Sequence, residues 1–242
     1  MNILIVNDDS INAPGIVLLA RAATQIGKVW VVAPAQQCSA MSHKVTISGA
    51  LHVEKVEDFP APVEAAYKID GSPADCVKVA LDYILKEKPD FVFSGINNGF
   101  NMGYEIAYSG TMAAAVEALM NGVPAIAFSS AYDSPMTLAE NYIVDITKDI
   151  INREQNLKEV WNVNFPATAN NIAAGILYDR TVAPTWLYSH HYQETIEADG
   201  RITLEIHGCP ITSAEDVPEG TDIEAILRGY ISIGKVHSSV LQ

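Results

Sequence analysis

The stretch Met1-Asn-Ile-Leu-Ile-Val-Asn-Asp-Asp-Ser10 begins the chain and indicates its fold class. Residues 3–6 form an unbroken apolar run rich in β-branched side chains, typical of a strand buried on both faces in a parallel sheet. Asp8 and Asp9 follow at once, with no basic residue beside them. Because two adjacent carboxylates are costly to bury without a partner, this position predicts either a divalent metal or a polar turn that caps a helix. Both interpretations are open at this point.

The composition limits the classes of protein that fit. The chain has 242 residues, of which 49% are hydrophobic and 18% charged, so a large folded core is expected and disorder is not. The formal net charge of −14 argues against binding a nucleic-acid polymer, which requires a basic surface. A small anionic substrate is compatible with this charge, because a bound metal reverses the local field.

Cysteine usage and hydropathy indicate the compartment. Cys38, Cys76 and Cys209 are far apart in the sequence, which predicts free thiols in a reducing compartment. No apolar stretch is long enough to span a bilayer, and the N-terminus lacks the basic region of a secretion signal. We therefore expect a soluble cytoplasmic protein that does not bind membranes.

Strand and helix patterns alternate along the first two thirds of the chain. Buried strands are predicted at 3–6, 29–33, 91–95 and 123–128, and helices at 16–26, 112–120, 136–151 and from Pro73 onward. Short strands are expected at 67–70 and within 45–56. The alternation predicts a doubly wound α/β core with a mostly parallel sheet over about residues 1–170.

The remainder of the chain, about residues 171–242, is rich in strand patterns. Asp199-Gly200 is a strong turn signal and predicts a long hairpin over 186–207. Such a hairpin is only marginally stable alone, so we expect it to pack on another subunit. A short helix capped at Thr221 and a returning strand at 229–233 complete the prediction of a single domain over 1–242.

Polar side chains follow four of the predicted strands. Ligands of open α/β sheets bind beyond the carboxyl ends of the strands. The residues expected at one edge are therefore Asp8 and Asp9, the loop with Ser39, Asn97, and Ser129-Ser130. Their ligand atoms are all oxygen, a set that suits Mg²⁺ or Mn²⁺ rather than zinc. Such metals keep open positions for substrate phosphates.

A second feature is Tyr108-Ser-Gly-Thr111, which opens a predicted helix. A helix N-terminus with two hydroxyls predicts an anion site, although an ordinary serine N-cap is the alternative. His43 is interpreted either as a general acid or base near Ser39 or as an ordinary loop histidine. Asp75 and Asp82 are expected on the solvated face of a helix.

Several motifs together resemble one known family, the survival protein SurE family of metal-dependent 5′(3′)-nucleotidases. The resemblance extends from Met1 to about Ile233 and is carried by Asn7-Asp-Asp9, Gly71-Ser-Pro-Ala-Asp-Cys-Val77, Ser94-Gly-Ile-Asn97 with Gly99, Asn101 and Gly103, and Tyr108-Ser-Gly-Thr111. It implies a Rossmann-like N-terminal region, and a C-terminal hairpin exchanged between the subunits of a homodimer or tetramer.

The resemblance also implies the site residues and the reaction. By position it implies metal ligation by Asp8, Asp9, Ser39 and Asn97, and phosphate binding by Asn101, Ser109, Gly110 and Thr111. The expected reaction is metal-dependent hydrolysis of nucleoside monophosphates, with Asp9 positioning the attacking water and Asp8 acting as a ligand only. The alternative is a non-catalytic nucleotide-binding or assembly protein on the same fold.

One loop departs from the family pattern. Members usually carry an Arg soon after Ala-Pro and a Gly after the ligand serine, whereas Ala33-Pro34 is here followed by Ala-Gln36-Gln-Cys-Ser39-Ala40. The departure over Gln36–Ala40 is expected to affect substrate preference and phosphate affinity rather than the metal.

Overall fold

A computed structural model of the chain describes residues 1–238 and 241. Its strands are β1 (Asn2–Val6), β2 (Lys28–Pro34), β3 (Val53–Lys55), β4 (Ala65–Ile69), β5 (Phe91–Asn98), β6 (Ala125–Ser130), β7 (Glu159–Phe165), β8 (Ile176–Arg180), β9 (Tyr188–Ile196), β10 (Ile202–Pro210) and β11 (Ile231–His237). Its α-helices are α1 (Pro14–Ala23), α2 (Pro73–Val79), α3 (Gly110–Met120), α4 (Thr137–Ile151) and α5 (Asp222–Leu227). A 3₁₀ helix spans Gly103–Tyr108, and none of the described helices is long and apolar enough to cross a membrane.

Nine strands form one sheet in the order β3-β4-β2-β1-β5-β6-β7-β11-β8. β1 pairs in parallel with β2 and β5, and β6 continues the parallel arrangement between β5 and β7. β3 and β11 run antiparallel to β4 and β7, respectively. The strands β9 and β10 form a separate antiparallel hairpin. The predicted fold class, a doubly wound and mostly parallel sheet with a C-terminal hairpin, is confirmed.

The first strand explains why the sheet is covered on both faces. Ile3 and Ile5 pack in one apolar cluster with α1 and α4, whereas Leu4 and Val6 pack in a second cluster with α2 and α3. Successive side chains of a strand point to opposite faces, so the unbroken apolar run of β1 supplies both layers. The small alanine side chains of α3 allow this helix to pack close to the sheet.

Several predicted boundaries were wrong. β7 was missed because Asn162 and Asn164 interrupt its apolar run, although both are buried. Within 45–56 only β3 forms, and the last strand begins at Ile231 rather than at residue 229. That residues 1–242 form a single domain stays a prediction. Residues 239, 240 and 242 of that range lie outside the residues that the structure describes.

The prediction that Asp75 lies on the solvated face of α2 was also wrong. Asp75 is buried and forms a capping box, in which its carboxylate accepts from the Ser72 N–H and the Ser72 hydroxyl accepts from the Asp75 N–H. Thr46 also donates to the Asp75 carboxylate, through its N–H and its hydroxyl, each over 2.9 Å. Asp82 is exposed, as predicted.

Candidate active site

Asp8 is buried just after the end of β1 and contacts the first turn of α3. The Thr111 hydroxyl donates to Asp8 Oδ1 over 2.7 Å, and the Thr111 N–H donates to Oδ2 over 3.2 Å. Burial raises the pKa of Asp8 to about 6, the charge of Asp9 adds to this shift, and the Thr111 hydrogen bond opposes it. The carboxylate is therefore fixed in orientation but poorly solvated.

Asp9 is less deeply buried than Asp8 and is held by a neighbouring strand. Its Oδ2 accepts from the Asn98 N–H over 2.8 Å, while its Oδ1 has only a 3.5 Å contact with the Gln37 amide. Burial raises its pKa as well. In the part of the chain that the structure describes, neither Asp8 nor Asp9 forms an ion pair with Lys, Arg or His.

The loop after β2 is tied to the Asp9 carboxylate through Gln37 and to the main chain of Asp8 through Cys38. The Gln37 side chain donates to Ser39 Oγ over 3.0 Å, and the Cys38 N–H donates to the Asp8 carbonyl over 2.7 Å. On β5, the Asn97 amide nitrogen donates to the Gly99 carbonyl over 2.8 Å, which leaves Asn97 Oδ1 available as an acceptor. The structure thus brings the four predicted metal ligands to one edge of the sheet.

The side chains of Asp8, Asp9, Ser39 and Asn97 offer oxygen atoms as possible metal ligands. Two adjacent carboxylates with no counter-cation among the described residues, a serine hydroxyl and an amide oxygen fit a hard divalent cation such as Mg²⁺ or Mn²⁺. Among residues 1–238 and 241, no group of three or more His, Cys, Asp or Glu side chains is placed to hold a metal. A cation here would therefore need Ser39 and Asn97 in addition to the carboxylates.

The N-terminus of α3 forms the other half of the site. Ser109 Oγ accepts from the Met112 N–H over 3.0 Å, so Ser109 is the N-cap of the helix. A Cβ at Gly110 would lie 2.9 Å from Asp8 Cβ, so only glycine lets the helix approach the carboxylate this closely. Both donors of Thr111 are directed at Asp8.

Asn101 is held by a strand that the sequence did not reveal. Asn164 Oδ1 accepts from the Asn101 N–H over 3.0 Å, and Asn162 Nδ2 donates to the Asn101 carbonyl over 2.8 Å. The Asn101 side chain donates to Ser129 Oγ over 2.7 Å. The signal that could have found these partners is the spacing of two asparagines by two residues, which places them on one face of a strand.

The sequence model described as survival protein SurE matches residues 3–187. The chain belongs to the SurE family. It is 36% identical over 240 residues to "5'-nucleotidase SurE" of Alkaliphilus metalliredigens, a match that covers 98% of this chain and 92% of that protein. It is 38% identical over 234 residues to the protein of the same name from Flavobacterium psychrophilum, with 96% and 89% covered.

A solved structure agrees with the assignment to the SurE family. The crystal structure of the SurE protein from Aquifex aeolicus matches with a TM-score of 0.85 and 34% sequence identity, and the match covers 98% of this chain and 93% of that one. The resemblance drawn from the motifs is confirmed.

Two further residues can be placed within this SurE-family site. His43 Nε2 lies 2.9 Å from Glu117 Oε2 on α3, which agrees with an ordinary loop histidine rather than an acid or base beside Ser39. Gln37, in the loop that departs from the SurE pattern, contacts both Asp9 and Ser39. The departure therefore lies beside the candidate ligands themselves.

Proposed function

We propose that this chain is a divalent-metal-dependent phosphomonoesterase, a 5′(3′)-nucleotidase that hydrolyses nucleoside monophosphates to nucleoside and phosphate. The observation that carries the proposal is the pair of Asp8 and Asp9, which has no cationic partner among the described residues and of which Asp8 bonds Thr111 at the N-terminus of α3. The name of the curated relatives, 5'-nucleotidase SurE, supports the same activity rather than the non-catalytic alternative.

We propose that Asp8, Asp9, Ser39 and Asn97 hold Mg²⁺ or Mn²⁺. A divalent metal at this position supplies Lewis-acid polarisation of the phosphate and lowers the pKa of a bound water. Asp8 presents a fixed carboxylate because Thr111 orients both of its oxygens. Asp9 Oδ1 has only the long contact with Gln37, so this oxygen is the better placed one to accept a proton from the attacking water. We therefore assign the catalytic role to Asp9.

The phosphate is expected at the first turn of α3. The positive dipole end of a helix N-terminus stabilises an anion, and Ser109, Gly110 and Thr111 form this turn. The Thr111 N–H is bonded to Asp8 and the Ser109 N–H to the Ile106 carbonyl, so of these three residues Gly110 keeps a main-chain donor for the phosphate within the described chain. Asn101, fixed by Asn162 and Asn164, lies on the adjoining loop. Thr111 uses its N–H and its hydroxyl to bond Asp8, so this residue connects the anion site to the metal site.

The test of this function is phosphate release from nucleoside monophosphates in the presence of Mn²⁺, with and without a chelator. We expect release that the chelator abolishes. Asp8→Asn should lose metal affinity and turnover together, whereas Asp9→Asn should lose turnover while keeping much of its metal affinity. The absence of release with any divalent metal would refute the function. Equal loss of metal by both variants would refute only the division of roles.

We also propose self-association through the hairpin, as a homodimer or tetramer, and a cytoplasmic location. Every residue of β9 and β10 is exposed, including Tyr192 and Ile206, which are cross-strand partners. A two-stranded hairpin with no cover is marginally stable in water, so a second copy of the chain is the partner that fits. The three free thiols support a reducing compartment.

A further inference from the structure

A cavity of about 600 Å³ opens beside Asp9, between the start of α1 and the loop that leads into α4. Its wall is largely apolar, formed by Pro14, Leu18 and Met136, while Asp133 and Gln37 contribute polar atoms. None of the described residues that line it is Lys or Arg. Its size and its mixed wall are those of a small-molecule site.

Asn98 links this cavity to the reaction centre. Its N–H donates to Asp9 Oδ2, and its side-chain Oδ1 accepts from the Asp133 N–H, each over 2.8 Å. Asp133 is thus two hydrogen bonds from Asp9. Its carboxylate forms no hydrogen bond or ion pair within the described chain and lies on the cavity wall.

We infer that this cavity binds the nucleoside part of the substrate, with the base against Leu18 and Met136 and the Asp133 carboxylate accepting hydrogen bonds from the ribose hydroxyls. The inference rests on the proposed function. A phosphate seated between Asp9 and the α3 N-terminus leaves the nucleoside to occupy an adjoining space. The acidic wall does not suit a second phosphate, whereas a carboxylate is a common partner of ribose hydroxyls.

A second surface, near the start of α3, is an alternative binding place for the base of the nucleotide. Tyr108 and Trp186 are stacked with ring centroids 5.7 Å apart and an angle of 14° between their planes, and both rings are partly exposed. A base could stack on such a pair. The cavity is favoured because Asp9 itself lines it, whereas the Trp186 ring already packs against Tyr108 and Tyr104.

The experiment compares kcat/KM for adenosine monophosphate, its 2′-deoxy analogue and p-nitrophenyl phosphate, which has no nucleoside. In Asp133→Ala we expect the ratio of kcat/KM for adenosine monophosphate to that for p-nitrophenyl phosphate to fall about tenfold, as for the loss of one charged hydrogen bond. The preference for the ribose over the deoxyribose form should shrink as well. Leu18→Trp, which fills the cavity, should lower the same ratio. Asp145→Ala, on an exposed face of α4, is the matched control.

The outcomes separate the two proposals. If the wild-type protein releases no phosphate from any nucleotide, the proposed function itself fails. If it hydrolyses nucleotides but both Asp133→Ala and Leu18→Trp leave the ratio unchanged, the inference is wrong and the function stands. If Trp186→Leu lowers the ratio and the two cavity variants do not, the base lies on the aromatic pair and the inference is overturned.

Discussion

The Thr111 hydroxyl donates a 2.7 Å hydrogen bond to Asp8 Oδ1, which joins the first turn of α3 to the end of β1 across 103 positions of sequence. Both residues are buried, and the Thr111 N–H supplies a second donor to the same carboxylate. A buried carboxylate that has no cationic partner depends on such donors. The pair therefore connects the candidate metal site to the candidate phosphate site.

Thr111→Val should weaken both metal binding and folding. The substitution keeps the shape of the side chain but removes one donor from a buried carboxylate, so the free energy of unfolding should fall by about 1–3 kcal/mol. Mn²⁺ affinity, measured by isothermal titration calorimetry, should fall with it because the carboxylate loses its orientation and is more easily protonated. Thr111→Ser keeps the hydroxyl and is the control. Equal Mn²⁺ affinity in the two variants would contradict the role given to this bond.

Gly110→Ala should displace Asp8. The added Cβ would lie 2.9 Å from Asp8 Cβ and 3.0 Å from its Oδ2, so either the helix or the carboxylate must shift. Forcing a methyl group into a packed site costs about 1–3 kcal/mol, and phosphate release should fall strongly. Gly208→Ala on β10, where the added Cβ has its nearest neighbour within the chain 4.0 Å away, should leave phosphate release unchanged. Because β10 belongs to the proposed subunit contact, light scattering should accompany this control. Full activity in Gly110→Ala would show that the close approach is not needed.

Asn164→Ala should loosen the loop that carries Asn101. The side chain accepts from the Asn101 N–H and donates to its carbonyl, and both contacts are buried. Their loss should raise KM for the nucleotide several-fold and lower the free energy of unfolding by about 1–3 kcal/mol. The exposed Asn152, whose side-chain amide donates to the Lys148 carbonyl at the end of α4, provides the control Asn152→Ala. An unchanged KM would show that the position of Asn101 does not affect substrate binding.

The sequence predicted which residues lie together at the candidate site better than it predicted the elements that support them. The carboxyl-end rule gathers Asp8, Asp9, Ser39 and Asn97 because strand order and parallel direction follow from the βαβ alternation. β7 was not predicted, since Asn162 and Asn164 have low strand propensity and their burial depends on a loop about 60 residues away. Asp75 was assigned to solvent because periodicity does not show that the Thr46 loop would cover it. Local patterns report strand and helix type, whereas these partners depend on tertiary contacts.

Charges on the hairpin should disrupt self-association without unfolding the protein. Tyr192 and Ile206 face each other across β9 and β10 and are exposed to 61% and 65%. Tyr192→Glu combined with Ile206→Glu removes apolar area and adds like charges, so the molar mass measured by light scattering should fall to that of one chain. Circular dichroism should remain that of a folded protein. A doubly substituted protein that still forms the wild-type oligomer would place the interface elsewhere.

The stability of the chain in acid should depend on Glu117. This buried carboxylate accepts hydrogen bonds from His43 and Asn121 and lies 3.8 Å from the Lys78 ammonium. The His43 hydrogen bond, followed by the Lys78 charge, lowers the pKa of Glu117 below its ordinary value of 4.5. A carboxyl whose pKa is lower in the folded state stabilises the fold above the ordinary pKa, and this contribution is lost as the pH falls through the lowered value.

Glu117→Gln should therefore be less stable than the wild-type protein at pH 7, by about 1 kcal/mol in urea unfolding. The difference should persist down to about pH 4.5 and then shrink as the pH falls further, because the wild-type carboxyl becomes protonated and loses its advantage over the amide. Glu140→Gln, at an exposed position of α4, should show only a small difference at every pH. A Glu117→Gln difference that stayed constant in acid would mean that packing, rather than the charge, accounts for the effect.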